Sequence, residues 1–324
     1  MKSSKRADRL AHAVIAQAAS RSACLRRIVF SIFFLAGLSA GAALGADETG
    51  TGEFSPALVA DPSIRSGGLA NGLSFAVREN DDPRGRLYLR LLVKAGSLEE
   101  SDDERGAAHF LEHMAFNGTR SFPKDELIRY MESIGMDFGA EVNASTGYST
   151  TEYRLEVPTA DPAAVDKAFL ILREWADGIL IDPDDVVAER GVVLEEERLE
   201  RGAGERVWRK HRYAVFGDSR YAARDPIGEP EAIASMDAAK LRSFYERWYR
   251  PELMGVFAAG DLPLSEIESR IESAFSSLAP REGPQTAPRS VAERPGLRAS
   301  VASDPELSSS SVELAIRLPL VIPT

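Results

Sequence analysis

Apolar and polar positions alternate with a period of two in some stretches of this chain and with a helical period in others. Leu69–Val77 passes from an Asn71-Gly72 turn signal into alternating positions, and Arg86–Val93 (Arg-Leu-Tyr-Leu-Arg-Leu-Leu-Val) alternates until Gly96, so both predict strands. A helix is expected over Glu104–Phe116, stopped by Asn117-Gly118, and another from Pro123 to Ile134, closed by Gly135. Met136–Val142 and Ser149–Val157 read as strands joined by Asn143–Tyr148. Residues 162–178 carry Val165, Phe169, Leu172 and Trp175 at helical spacing, and Pro183 opens a long helix to Arg201. Helices are then expected at 205–215, 229–235 and 237–248, a strand at 253–259 and an amphipathic helix at 264–278. This order predicts an α+β fold, a two-layer α/β sandwich with an antiparallel-rich sheet and helices on one face.

The ends read differently. Seven positive charges against one negative precede an apolar run from Ile28 to Leu38 and the small-residue stretch Ser39–Ala46, the order of a secretory signal peptide over residues 1–46. A retained signal segment would act as a membrane anchor; otherwise an exported, periplasmic or extracellular protein is expected. Residues 47–66 are polar and read as a flexible lead-in to a domain spanning 67–279. Residues 280–295, rich in Pro, Arg, Glu and Gly, read as a linker. Strands expected at 296–303 and 310–318 would begin a second, truncated α/β domain over 296–324, since two strands bury no core alone.

Without residues 1–45 the net charge falls from −11 to −17, and Cys24, the single cysteine, is lost with them. So acidic a chain excludes nucleic acid as a partner, because phosphate binding needs clustered Lys and Arg. Any metal site must use His and carboxylate ligands.

Three histidines lie beyond the leader, and two of them bracket a glutamate in His109-Phe110-Leu111-Glu112-His113. On a helix, i and i+4 share a face, so both imidazoles reach one metal ion, with the Glu112 carboxylate beside the second. This is the inverted form of the His-Glu-x-x-His zinc-protease helix. A catalytic zinc takes three protein ligands and keeps one position open, so a third, acidic ligand is expected. Glu189, Glu195, Glu196 and Glu197 lie on one helix; Glu189 and Glu196 share a stripe with Val186 and Val193, but helical spacing leaves Glu195, Glu196 and Glu197 nearly equal.

The segments His109–Thr119, Asn143–Thr146 and Glu189-Arg190 with Glu196 together resemble the pitrilysin/insulinase (M16-type, inverzincin) zinc metallopeptidases, which include mitochondrial processing peptidase, over residues 66–320. The resemblance implies one Zn2+ per catalytic domain, held by His109, His113 and Glu196. It implies Glu112 as general base, Glu189 as a carboxylate supporting the ligands, and Asn143 and Ala144 as substrate-binding residues on a strand edge. The expected activity is endopeptidase cleavage of peptides or unfolded polypeptide segments. Enzymes of this family enclose substrate between two halves, and the distal half supplies an Arg/Tyr pair; no residue here corresponds to it. The resemblance therefore implies a missing C-terminal portion or partner subunit. The alternative is a non-catalytic structural or binding subunit of the same fold. Asn117-Gly118-Thr119 and Asn143-Ala144-Ser145 also match glycosylation sequons, read as coincidental beside such a site.

Overall fold

The computed structural model describes residues 61–124, 126–134, 142–292 and 296–316. The signal segment, most of the lead-in and the strand expected at 136–142 up to residue 141 lie outside the described residues.

The alternation in Arg86–Val93 becomes β3, in which Leu87, Leu89, Leu91 and Val93 are buried while Tyr88 and Arg90 face solvent. β5 (Thr151–Pro158) repeats it, with Thr151, Tyr153, Leu155 and Val157 inward. Burying each such Leu or Val side chain is worth about 1.5–3 kcal/mol, so a one-residue slip of register would forfeit the whole face. These strands pair antiparallel from Arg86↔Pro158 to Val93↔Thr151. With β1 (Ile64–Gly68), β2 (Ser74–Glu79), β4 (Val142–Thr146) and β6 (Met254–Gly260) they form a six-stranded sheet of order β1-β2-β6-β3-β5-β4. Only the β2–β6 pairing is parallel, which bears out the antiparallel-rich sheet.

Nine α-helices accompany the sheet among the described residues: α1 (Ala107–Asn117), α2 (Glu126–Ser133), α3 (Pro162–Asp177), α4 (Pro183–Glu200), α5 (Ala203–Phe216), α6 (Arg220–Ala223), α7 (Pro230–Ala234), α8 (Ala238–Trp248) and α9 (Leu264–Phe275). α3 and α4 start where their sequence signals lie: Asp161 and Asp182 accept from the N–H groups of Ala163 and Asp184, each with Pro at the next position. Trp175 and Phe169 of α3, Phe110 and Met114 of α1, Phe244 of α8 and Phe275 of α9 bury against the inner strand residues in one core. No helix among the described residues is long and apolar enough to cross a membrane.

Three expectations are corrected. The lead-in to residue 66 is not irregular throughout: Ile64–Gly68 forms β1, paired with β2 through Ile64↔Arg78 to Gly68↔Ser74. Its sequence Ile-Arg-Ser-Gly-Gly has no alternation because the strand lies exposed at a sheet edge. Asn143–Thr146 is not a connection but the body of β4, with Asn143↔Arg154 and Ala144↔Tyr153 pairing it to β5. The strands expected at 296–303 and 310–318 are irregular over the described 296–316, where Leu297, Val301, Val312 and Leu314 stay exposed. Alternation without a partner strand gives no ladder and no buried face.

Candidate metal centre

α1 starts later than its sequence suggests. Gly106 takes a positive φ of 102°, and residues 102–104 form a separate turn of 3-10 helix. The buried Glu100 replaces a conventional cap: its two carboxylate oxygens accept from the N–H groups of Gly106 (2.9 Å) and Ala108 (3.0 Å). Burial raises the Glu100 pKa to about 8, although both N–H bonds and Arg224 act against it. Gly228, also at positive φ, packs against Gly106 so closely that a Cβ on it would lie 2.6 Å from the Gly106 Cα. At the other end, the Trp175 indole N–H donates to the Ala115 carbonyl at 3.0 Å. The helix is thus pinned at both ends against buried groups.

On α1, His109 and Glu112 are buried and His113 is half-buried; α4 packs alongside and brings Glu196, also buried, to the two imidazoles. His109 Nε2 lies 3.2 Å from His113 Nε2, Glu196 Oε2 lies 3.2 Å from His113 Nε2, and Glu196 Oε2 lies 3.6 Å from His109 Nε2. Ligand bonds of about 2.0–2.2 Å around a tetrahedral zinc put neighbouring donor atoms about 3.4 Å apart. The three atoms already stand at that spacing, and among the described residues His109, His113 and Glu196 form a cluster that could hold a metal ion.

The electrostatics agree. Glu189 Oε1 accepts from His113 Nδ1 at 2.8 Å, which turns Nε2 toward Glu196 and His109. Burial alone would lower the His113 pKa, but hydrogen bonds to Glu189 and Glu196 outweigh it and raise it to about 10. Burial likewise opposes the Glu189 charge, yet the His113 bond prevails and holds its carboxyl below the usual range. Two carboxylates around one imidazole pair favour a cation between them.

The three consecutive glutamates of α4 meet different neighbours. Glu195 is exposed and pairs with Arg198 at 2.7 Å, whereas Glu197 is buried on another side and pairs with Arg201 at 2.5 Å and Arg209 at 3.3 Å. His211 is not drawn in; its Nδ1 contacts Ser300 Oγ at 2.8 Å. β4 is the edge strand opposite β1 among the described residues and packs against α1. Ala144 is buried and Asn143 half-buried there. Two contacts lay outside the sequence reading. Thr146 Oγ1 donates to Glu112 Oε2 at 2.5 Å, and Asn117 Nδ2 donates to Glu189 Oε2 at 2.8 Å. Only the i+4 spacing of Asn117 from His113 could have pointed to the second.

Comparison with known proteins agrees with this geometry. The family described as "Insulinase (Peptidase family M16)" matches residues 76–216, and "Peptidase M16 inactive domain" matches 235–321. The chain is 38% identical over 220 residues to "Probable zinc protease PqqL" of Haemophilus influenzae, covering 68% of this chain and 24% of that protein. With the Escherichia coli protein of the same name it is 34% identical over 265 residues, covering 82% of this chain and 28% of the relative. The chain therefore spans about a quarter of the length of these relatives. Among solved structures, "the first half of the periplasmic protease PqqL from Escherichia coli" superposes with a TM-score of 0.71 at 34% identity, over 74% of this chain and 51% of that one. Sequence, fold and the His-His-Glu cluster agree: the chain belongs to the insulinase family of zinc metallopeptidases, peptidase family M16, and carries its N-terminal catalytic domain.

Proposed function

We propose that this chain is the zinc-bearing portion of an exported endopeptidase, periplasmic or extracellular, that hydrolyses peptides or unfolded polypeptide segments. The observation that carries this reading is the 3.2–3.6 Å spacing of the His109, His113 and Glu196 donor atoms beside Glu112. His109, His113 and Glu196 would hold one zinc ion, which would supply a Lewis-acid charge able to polarise a carbonyl and to lower the pKa of water from about 15.7 toward 7. Glu112 accepts the proton of the hydrolytic water and passes it to the leaving amine. Thr146 holds the Glu112 carboxylate in place, and Glu189 fixes the His113 ring. Asn143 and Ala144 receive an extended peptide along β4, where backbone pairing gives affinity with little demand on sequence.

In domain terms, residues 67–279 with β1 form the catalytic unit, 280–295 a linker, and 296–324 the start of a second unit. Coverage of about a quarter of its relatives supports the need for further domains or a partner subunit to close the chamber. Export is supported by the basic-apolar-small order of residues 1–46 and by likeness to a protein described as periplasmic.

The test is Glu112→Gln, assayed with the distal half of a related enzyme supplied. The amide cannot take the water proton, so zinc should stay bound while peptide hydrolysis falls at least about a hundredfold, the usual worth of a general base. Hydrolysis at the unaltered rate would overturn the assignment of the base.

A further inference from the structure

The face of α1 that carries His109 and His113 continues one turn further, to Asn117. The three residues form an i, i+4, i+8 stripe. Glu189 approaches this stripe from α4 and divides its carboxylate between two partners: Oε1 takes the His113 Nδ1 hydrogen at 2.8 Å and Oε2 takes the Asn117 side-chain N–H at 2.8 Å. A carboxylate only accepts, so the Asn117 amide must present its nitrogen to it. The same nitrogen lies 3.4 Å from the His113 carbonyl, a much weaker contact. An Asn at a helix end ordinarily serves the backbone there; this one is committed to a side chain of another helix, 72 residues away in sequence.

Resting on the zinc reading above, we infer that Asn117 is a positioning residue for the metal site, clamping the free rotation of Glu189 so that its other oxygen orients His113. Held by one partner, a carboxylate on a two-carbon stem can swing about its last torsion. Held at both oxygens by groups from one rigid helix, it has a single orientation, and so does the imidazole.

The experiment uses the full chain and reads zinc affinity by competition with a coloured chelator, alongside the melting temperature of the metal-free protein. Asn117→Leu keeps the volume and removes the donor. Loss of such an outer partner weakens metal binding by about 10–100-fold. The expected result is a drop of about tenfold or more in zinc affinity, with the metal-free melting temperature lowered only by the few degrees that one lost hydrogen bond costs. Asn117→Asp sets a second carboxylate against Glu189 and should weaken zinc further. The deciding arm is the pair Asn117→Leu with Glu189→Gln. If Asn117 works through Glu189, the double variant binds zinc no worse than Glu189→Gln alone; additive losses overturn the inference. Wild-type affinity in Asn117→Leu also overturns it, while leaving the zinc site standing. A wild-type chain that takes up no zinc overturns both.

Discussion

Thr146, on the outer strand β4, donates its hydroxyl to Oε2 of Glu112, on the histidine helix, at 2.5 Å. The two residues are 34 positions apart, and the bond ties the proposed base to the strand proposed to receive substrate. Short O–H···O⁻ bonds of this kind are charge-assisted and among the stronger hydrogen bonds in proteins.

Thr146→Val keeps the shape of the side chain and removes that donor. The bond fixes where the base stands, and a reacting group misplaced by about 1 Å can cost about a hundredfold in rate. In an active preparation with the distal half present, kcat should fall about 10–100-fold while zinc content stays the same. Steady-state kinetics with elemental analysis check this, and a variant that sheds zinc would place Thr146 in a different role.

The three consecutive glutamates of α4 should separate cleanly. Glu196→Gln should lose zinc, because its carboxylate oxygen stands at ligand distance from both imidazoles. Glu195→Gln should leave metal and stability unchanged, since its pair with Arg198 is solvent-exposed. Glu197→Gln should keep its zinc but lose stability by about 1–3 kcal/mol, because buried Glu197 partners Arg201 and the largely buried Arg209. Metal titration and denaturant melts of all three variants distinguish the roles; zinc loss in Glu195→Gln would contradict the register of the helix.

That register shows how far the sequence could be read. Spacing alone identified His109, Glu112 and His113 because an i, i+3, i+4 set falls on one helical face whatever the surroundings. It could not choose among Glu195, Glu196 and Glu197, since the choice depends on which side of α4 meets α1. The family resemblance pointed to Glu196, and the packing places that residue at the imidazoles. β3 was legible to the residue because its inner face is apolar and its outer face polar. β1 and β4 were not, because edge strands with Gly, Ser, Asn and Thr carry little alternation and are made by pairing with β2 and β5. Residues 296–316 show the converse, alternation with no neighbouring strand among the described residues to use it.

The N-terminal end of the histidine helix depends on the contact between Gly106 and Gly228. In Gly228→Ala the new Cβ would lie 2.6 Å from the Gly106 Cα and 2.9 Å from the Arg105 carbonyl oxygen, at a φ of +91°. Left-handed strain and overpacking together should cost about 2–4 kcal/mol and lower Tm by about 5–15 °C, with weaker zinc binding as α1 shifts. Gly191→Ala is the control: it sits in α4 with nothing within 4 Å of the added Cβ, so it should stabilise by about 0.5–1 kcal/mol and leave zinc untouched. Thermal melts of the two variants give the comparison, and equal melting temperatures would contradict the close packing.

The most direct measurement is the zinc content of the purified chain and of His113→Ala, by elemental analysis after dialysis against metal-free buffer. His113 lies at ligand spacing from both His109 and Glu196, so its removal breaks two of the three contacts that define the site. Close to one zinc per wild-type chain and almost none in the variant is expected, because two remaining ligands lose most of the chelate. Undiminished zinc in His113→Ala would contradict it.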